Sequence, residues 1–166
     1  MKRLVFAFLL LAPPALGAAP APKLSITGLQ QLPIVTMRPY DEKADANAQV
    51  DRAFANAKKS GKRVLIDLGG NWCPDCIVFA NFIKLPEMRR FMDAHYEVAM
   101  VDVGRFDRNL QVPARFGFKT RLKGVPMLII ATPDGKLVNR DDVFATTSAS
   151  SMTPKALADY LAKHAK

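Results

Sequence analysis

Cysteine is scarce in this chain: there are two in 166 residues, and both lie in the stretch GGNWCPDCIVF at 69–79. The only histidines, His95 and His164, stand far from that stretch and from each other. A structural zinc site normally takes four ligands at paired spacings, so this stock of side chains argues against metal. Long apolar runs are missing as well. The run at 4–12 is nine residues and ends at Pro13-Pro14, well short of the roughly 18 to 20 a bilayer crossing needs. Lysine and arginine outnumber acids 24 to 15, for a net charge of +9. No basic tract and no interleaving of basic and aromatic residues accompanies that excess. This excludes a nucleic-acid partner and leaves acidic partners or loose surface attraction.

What is present begins with Lys2 and Arg3, the apolar run and then small residues through Ala19, the pattern of an export signal. Residues 1–18 are expected to be that signal, 19–43 a proline-rich lead, and 44–166 one domain. Within the lead, KLSITGLQQLPIV at 23–35 suggests an edge strand. Asp45 to Ser60 carries Ala46, Val50, Ala53, Phe54 and Ala57 at helical spacing, with Gly61 as its C-terminal cap. RVLIDL at 63–68 predicts a strand covered on both faces. Helices follow from about Cys73 to Lys84 and from Pro86 to His95, and YEVAMVDV at 96–103 is a second strand. A short helix spans Pro113 to Gly117. VPMLIIA at 125–131 predicts a strand, TPDGK a turn and LVNRD at 137–141 its hairpin partner. Thr153 caps a last helix opened by Pro154. The fold class is α/β, a central mixed sheet flanked by helices on both faces.

A helix starting at Cys73 aims its free N–H groups and dipole at that sulfur, which favours the thiolate. Cys76 lies three residues on, on the same side of the helix, so the Cα atoms fall near the roughly 5.5 Å of a disulfide. Cys73 is read as the exposed, attacking sulfur and Cys76 as the sheltered, resolving one. Pro74 withholds an amide proton, and the Asp75 carboxylate partly opposes thiolate formation, which leans the pair toward reductant. A structural staple is disfavoured because so small a ring constrains almost no chain. Ile77 stands where a c-type haem site needs histidine. What remains is a redox reagent that needs no cofactor.

Together, VLIDLGGNWCPDC at 64–76 and GVPMLII at 124–130 resemble the thioredoxin superfamily over about residues 45–165. They are most similar to exported thioredoxin-like proteins and to the soluble thiol-reducing domain of bacterial disulfide-reductant transporters. The resemblance implies a thioredoxin-like fold and a cis peptide between Val125 and Pro126, whose backbone docks an extended substrate. It implies that Asp67 is a buried acid that accepts the Cys76 proton, against the plainer reading of a solvent-facing aspartate. It places Trp72 and Pro74 beside the substrate, although Trp72 could equally fill the core. Three departures stand out. Met100 occupies the strand position where many thioredoxins hold a lysine, and Asn81 replaces the proline that usually kinks the active-site helix. The segment 118–123, FKTRLK, is an insert whose Lys119, Arg121 and Lys123 either border the substrate groove or form a solvated loop.

These features predict a periplasmic or otherwise exported thiol-disulfide oxidoreductase, without metal or cofactor, that reduces disulfides in client proteins through the Cys73/Cys76 dithiol. Cys73, Cys76 and Asp67 are its catalytic residues, and Trp72, Pro74, Val125 and Pro126 its substrate-binding residues. Its partners are client proteins with disulfides and a membrane electron donor, with no stable membrane insertion of its own. Alternatives are oxidase or isomerase chemistry, or a non-enzymatic copper-binding or partner-docking module on the same fold.

Overall fold

The computed structural model describes residues 18–119 and 122–166. The expected signal segment up to residue 17, and Arg121 of the basic insert, lie outside them. Helix α1 (Ala46–Ser60) is set by its ends: the Asp45 carboxylate accepts the Asn47 and Ala48 N–H groups, and Gly61 closes it at φ 73°. That positive φ is the conformation for which glycine carries no Cβ penalty. Strand β1 (Arg63–Gly69) follows, then α2 (Pro74–Phe82), α3 (Pro86–His95) and β2 (Tyr96–Asp102). After the short α4 (Gln111–Ala114) come β3 (Met127–Ala131) and α5 (Pro154–His164), the last opened by the Thr153 hydroxyl accepting from Ala156 N.

The three strands of the described residues order as β2-β1-β3, with β1 parallel to β2 and antiparallel to β3. The central strand is buried from Val64 to Gly69, which is why its sequence is a run rather than an alternation. Its alternate side chains feed two cores. Val64, Ile66 and Leu68 meet Val50, Ala53 and Ala57 of α1 on one face. Leu65 meets Phe79, Phe82, Met88, Leu157 and Leu161 of α2, α3 and α5 on the other. Each large aliphatic or aromatic side chain so buried contributes about 1.5–3 kcal/mol relative to exposure. The mixed sheet with helices on both faces is therefore present as the sequence pattern implies.

Two expected strands do not form, and in both cases side chains take the hydrogen bonds a sheet would need. The lead forms a single 3-10 turn at Leu29–Gln31. Its N–H groups are already committed: Ser25 to Glu87, Thr27 and Gly28 to Gln31, and Val35 and Thr36 to the Asn81 side chain. LVNRD likewise makes only an isolated bridge, Leu137 with Ala131. Buried Asn139 replaces the missing ladder, accepting from Ile130 N at 2.8 Å and donating to Leu128 O at 2.8 Å. Helix α2 is also shorter than its apolar periodicity suggests, ending at Phe82 rather than Lys84.

Candidate active site

The N-terminus of α2 is built by its own sequence. Cys73 is the N-cap, in extended conformation, and Pro74 occupies the first helical position, where a missing N–H costs nothing. The Cys73 sulfur accepts from Cys76 N at 3.2 Å, so the cap is a cysteine sulfur. The two sulfurs are joined as a disulfide with Cα atoms 5.2 Å apart. Cys76 is fully buried, as a sheltered partner should be. Cys73 is not the exposed sulfur expected: it is only 3% accessible. The Val125 carbonyl oxygen stands 3.6 Å from it and covers it. The Cys76 N–H and the positive end of the α2 dipole lie at the same sulfur.

The Val125–Pro126 peptide is cis. Both residues are buried, and the Pro126 carbonyl accepts from the Thr146 hydroxyl at 3.1 Å. Pro74 lies exposed at the rim. Trp72 is 38% exposed, which decides against simple core filling. Its indole N–H donates to Gly104 O at 2.6 Å, Phe106 packs edge-on at 5.8 Å, and the Arg105 guanidinium lies over the ring at 5.1 Å. Asp75 is bound to Ser150, accepting from its N–H at 2.8 Å and its hydroxyl at 2.6 Å. In the basic insert Leu122 is buried, while Lys119 and Lys123 are exposed.

Asp67 is inaccessible to solvent, so the solvent-facing reading fails. It lies opposite Met100 in β2 and Leu128 in β3. Burial raises its pKa from 3.8 to about 7, against the lowering effect of a hydrogen bond from Tyr40. The Tyr40 hydroxyl stands 3.0 Å from each carboxylate oxygen. Burial and the neighbouring Asp67 in turn push the Tyr40 phenol well above its usual range. Asp102, at the end of β2 beside Gly69, is also buried and raised by desolvation, opposed by Gly104 N–H and Arg108. Nothing in the sequence marked Tyr40, which precedes the cysteine motif by more than 30 residues in an irregular segment.

The two histidines are elsewhere: His95 contacts the Lys166 carbonyl and His164 contacts Asp142. No group of three or more His, Cys, Asp or Glu side chains among the described residues could hold a metal. Nor is any helix among them long and apolar enough to cross a membrane.

The thioredoxin-like family model matches residues 45–133. A disulphide isomerase from Xylella fastidiosa Temecula1 is similar in structure at TM-score 0.71 and 33% identity, covering 76% of this chain and 95% of its own. More distant are a DsbH oxidoreductase (16% identity, TM-score 0.42, 80% and 79% covered) and a protein of unknown function from Pseudomonas aeruginosa (19%, 0.40, 70% and 82%). At those scores neither bears on the chemistry. No curated protein matches.

Proposed function

The chain belongs to the thioredoxin-like family, and from that premise we propose that it is an exported thiol-disulfide oxidoreductase that reduces disulfides in client proteins. The observation that carries this reading is Cys73 as the N-cap of α2, receiving the Cys76 N–H at 3.2 Å while its Cα lies 5.2 Å from that of Cys76. A sulfur so placed is a stabilised leaving group and nucleophile with its displacing partner in reach.

In the reduced protein the Cys73 thiolate attacks one sulfur of a client disulfide. The client S–S bond breaks, its second sulfur leaves as a thiolate that takes a proton, and a mixed disulfide links Cys73 to the client. Cys76 then gives up its proton, with buried Asp67 as acceptor, and attacks the Cys73 sulfur. The Cys73–Cys76 bond forms, the client's remaining sulfur departs, and two electrons have passed to the client. Trp72, Pro74, Val125 and Pro126 are the groups proposed to meet the client.

Reduction is the proposed direction because the residue after Pro74 is an acid, whereas a cation there would stabilise the reduced thiolate and make the disulfide more oxidising. A reductant in an oxidising compartment needs renewal, so a membrane electron donor is the proposed source, and the N-terminal pattern supports a periplasmic location. The similarity to a disulphide isomerase favours one second reading, rearrangement of client disulfides. Both are tested by following insulin reduction and scrambled-ribonuclease recovery with the wild type, Cys73→Ser and Cys76→Ser. The proposal expects insulin reduction lost in both variants. Ribonuclease recovery retained by Cys76→Ser, with negligible wild-type insulin reduction, would favour isomerase, and a Cys73→Ser variant as active as its parent would sink both.

A further inference from the structure

Among the described residues, burial and a hydrogen bond from Tyr40 are what act on the Asp67 carboxyl, and no basic side chain pairs with it. Across β2 it faces Met100 and across β3 Leu128. Among the described residues its side-chain hydrogen-bond donor is the Tyr40 hydroxyl, whose single proton is shared between oxygens each 3.0 Å away. Tyr40 is buried, and its backbone is clamped at both polar atoms by one side chain: its N–H donates to Asn71 Oδ1 at 3.0 Å, and its carbonyl accepts from Asn71 Nδ2 at 2.9 Å. Asn71 immediately precedes Trp72 and Cys73. The active-site turn therefore determines where a residue of the lead segment puts its hydroxyl.

That hydroxyl also borders the resolving cysteine. A Cβ added at Gly69 would collide with the Tyr40 hydroxyl oxygen and stand 3.0 Å from the Cys76 sulfur. The hydroxyl thus packs where a side chain at 69 would begin, beside that sulfur, and glycine is what admits it there. Asp67 and Gly69 lie two residues apart on β1, on the same face of the sheet. Acid, hydroxyl and sulfur are therefore grouped at one end of β1.

The geometry points to Tyr40 as a positioning residue for the resolving half of the exchange: its hydroxyl holds the Asp67 carboxylate ready to take the Cys76 proton. This rests on the dithiol mechanism proposed above. A hydroxyl that donates to a carboxylate favours the charged form, so it preserves a base where burial alone would leave an acid. The Tyr40 phenol stays protonated, and so remains a donor, because burial and Asp67 both resist its ionisation. As Cys76 attacks, the Cys73–Cys76 bond forms and the Cys73–client bond breaks. The Cys76 proton goes to Asp67, and the departing client thiolate is protonated from water. The other charged or titratable groups around this cluster are Asp102 on β2 with its partner Arg108, and Glu42, which accepts from Asn71 Nδ2 at 2.8 Å.

The test uses the full chain and Tyr40→Phe, which keeps the ring. Two readouts are taken: the Asp67 carboxyl titration by carbon NMR in the oxidised protein, which needs no client, and insulin reduction between pH 5.5 and 9. The Asp67 midpoint is expected to rise by about one to two pH units. The acid limb of turnover should move with it, costing about tenfold at pH 6.5 and little at pH 9. An unmoved midpoint in a wild type that reduces insulin, or a loss of rate equal at every pH, would overturn the role given to Tyr40. A wild type that reduces no disulfide overturns the function instead, whatever the titration shows. If Tyr40→Phe unfolds, Asn71→Ala leaves Tyr40 intact and should shift the same two readouts in the same direction, by less.

Discussion

Asn81 and Thr36 exchange two hydrogen bonds, Thr36 N–H to Asn81 Oδ1 at 3.0 Å and Asn81 Nδ2 to Thr36 O at 2.8 Å. One side chain thus imitates the paired bonds of an antiparallel ladder and straps the lead segment onto α2. The same amide also takes Val35 N–H at 2.8 Å and donates to Ile77 O. Asn81→Ala leaves Val35 and Thr36 backbone groups unpaired, so urea unfolding should show a loss of about 2–3 kcal/mol. Asn81→Asp keeps the acceptor, loses the donors and should fall between.

The close packing of Tyr40 on Gly69 leads to a steric prediction. Gly69→Ala brings a methyl onto the Tyr40 hydroxyl and to 3.0 Å from the Cys76 sulfur, and both neighbours are held in the core. We expect about 1–3 kcal/mol of destabilisation by thermal unfolding, with slower client reduction. Gly61→Ala, in open space but at φ 73°, should cost about 1 kcal/mol and leave the rate alone.

Asp67 makes folding stability depend on pH in an unusual direction for an aspartate. Its folded pKa of about 7 lies above the unfolded 3.8, so the native state holds the proton more tightly. The stabilisation is complete below about pH 4 and is lost as pH rises through 7, a swing of about 4 kcal/mol. Urea midpoints of the oxidised protein at pH 5 and pH 8 should therefore differ, with pH 5 higher. Asp67→Asn, which can still accept from Tyr40, should flatten this dependence and exceed the wild type in stability at pH 8.

Trp72 is anchored by an N–H bond, an aromatic edge and a cation while leaving 38% of itself exposed. A ring held rigid and half-open suits contact with a client more than support of the core. Trp72→Ala should raise KM for insulin about tenfold with kcat changed less than about twofold, and cost about 1–2 kcal/mol of stability. A larger fall in kcat than rise in KM would count against a docking role.

Much of this architecture is legible in the chain because local signals agree with tertiary placement. Asp45, Pro74 and Thr153 with Pro154 mark helix starts, Gly61 marks an end, and the continuous apolar run of β1 signals a strand covered on both faces. The cysteine pair is legible for the same reason: spacing and helix position alone bring its atoms together. The two strands that do not form share one cause. The lead and the 137–141 segment have strand-like composition, but Gln31, Glu87 and Asn81 side chains take the lead's N–H groups, and Asn139 takes the β3 groups a strand at 137–141 would pair with. No periodicity reports such a competitor. No sequence pattern marks Tyr40, since its meeting with Asp67 depends on the route of an irregular segment. The burial of Cys73 is not legible either, since the Val125 carbonyl 3.6 Å from its sulfur comes from 52 residues away in the chain.

The bond between Asp75 and Ser150 makes the redox motif a two-part device. The dipeptide between the cysteines biases their electron affinity through the charge it carries. Here one of its two residues is moored to the turn at Ala149–Ser151, 75 positions downstream. Exchanging it removes a charge and also unties α2 from that turn. A graft of another motif would thus carry its donor's potential only if the downstream turn were rewritten with it.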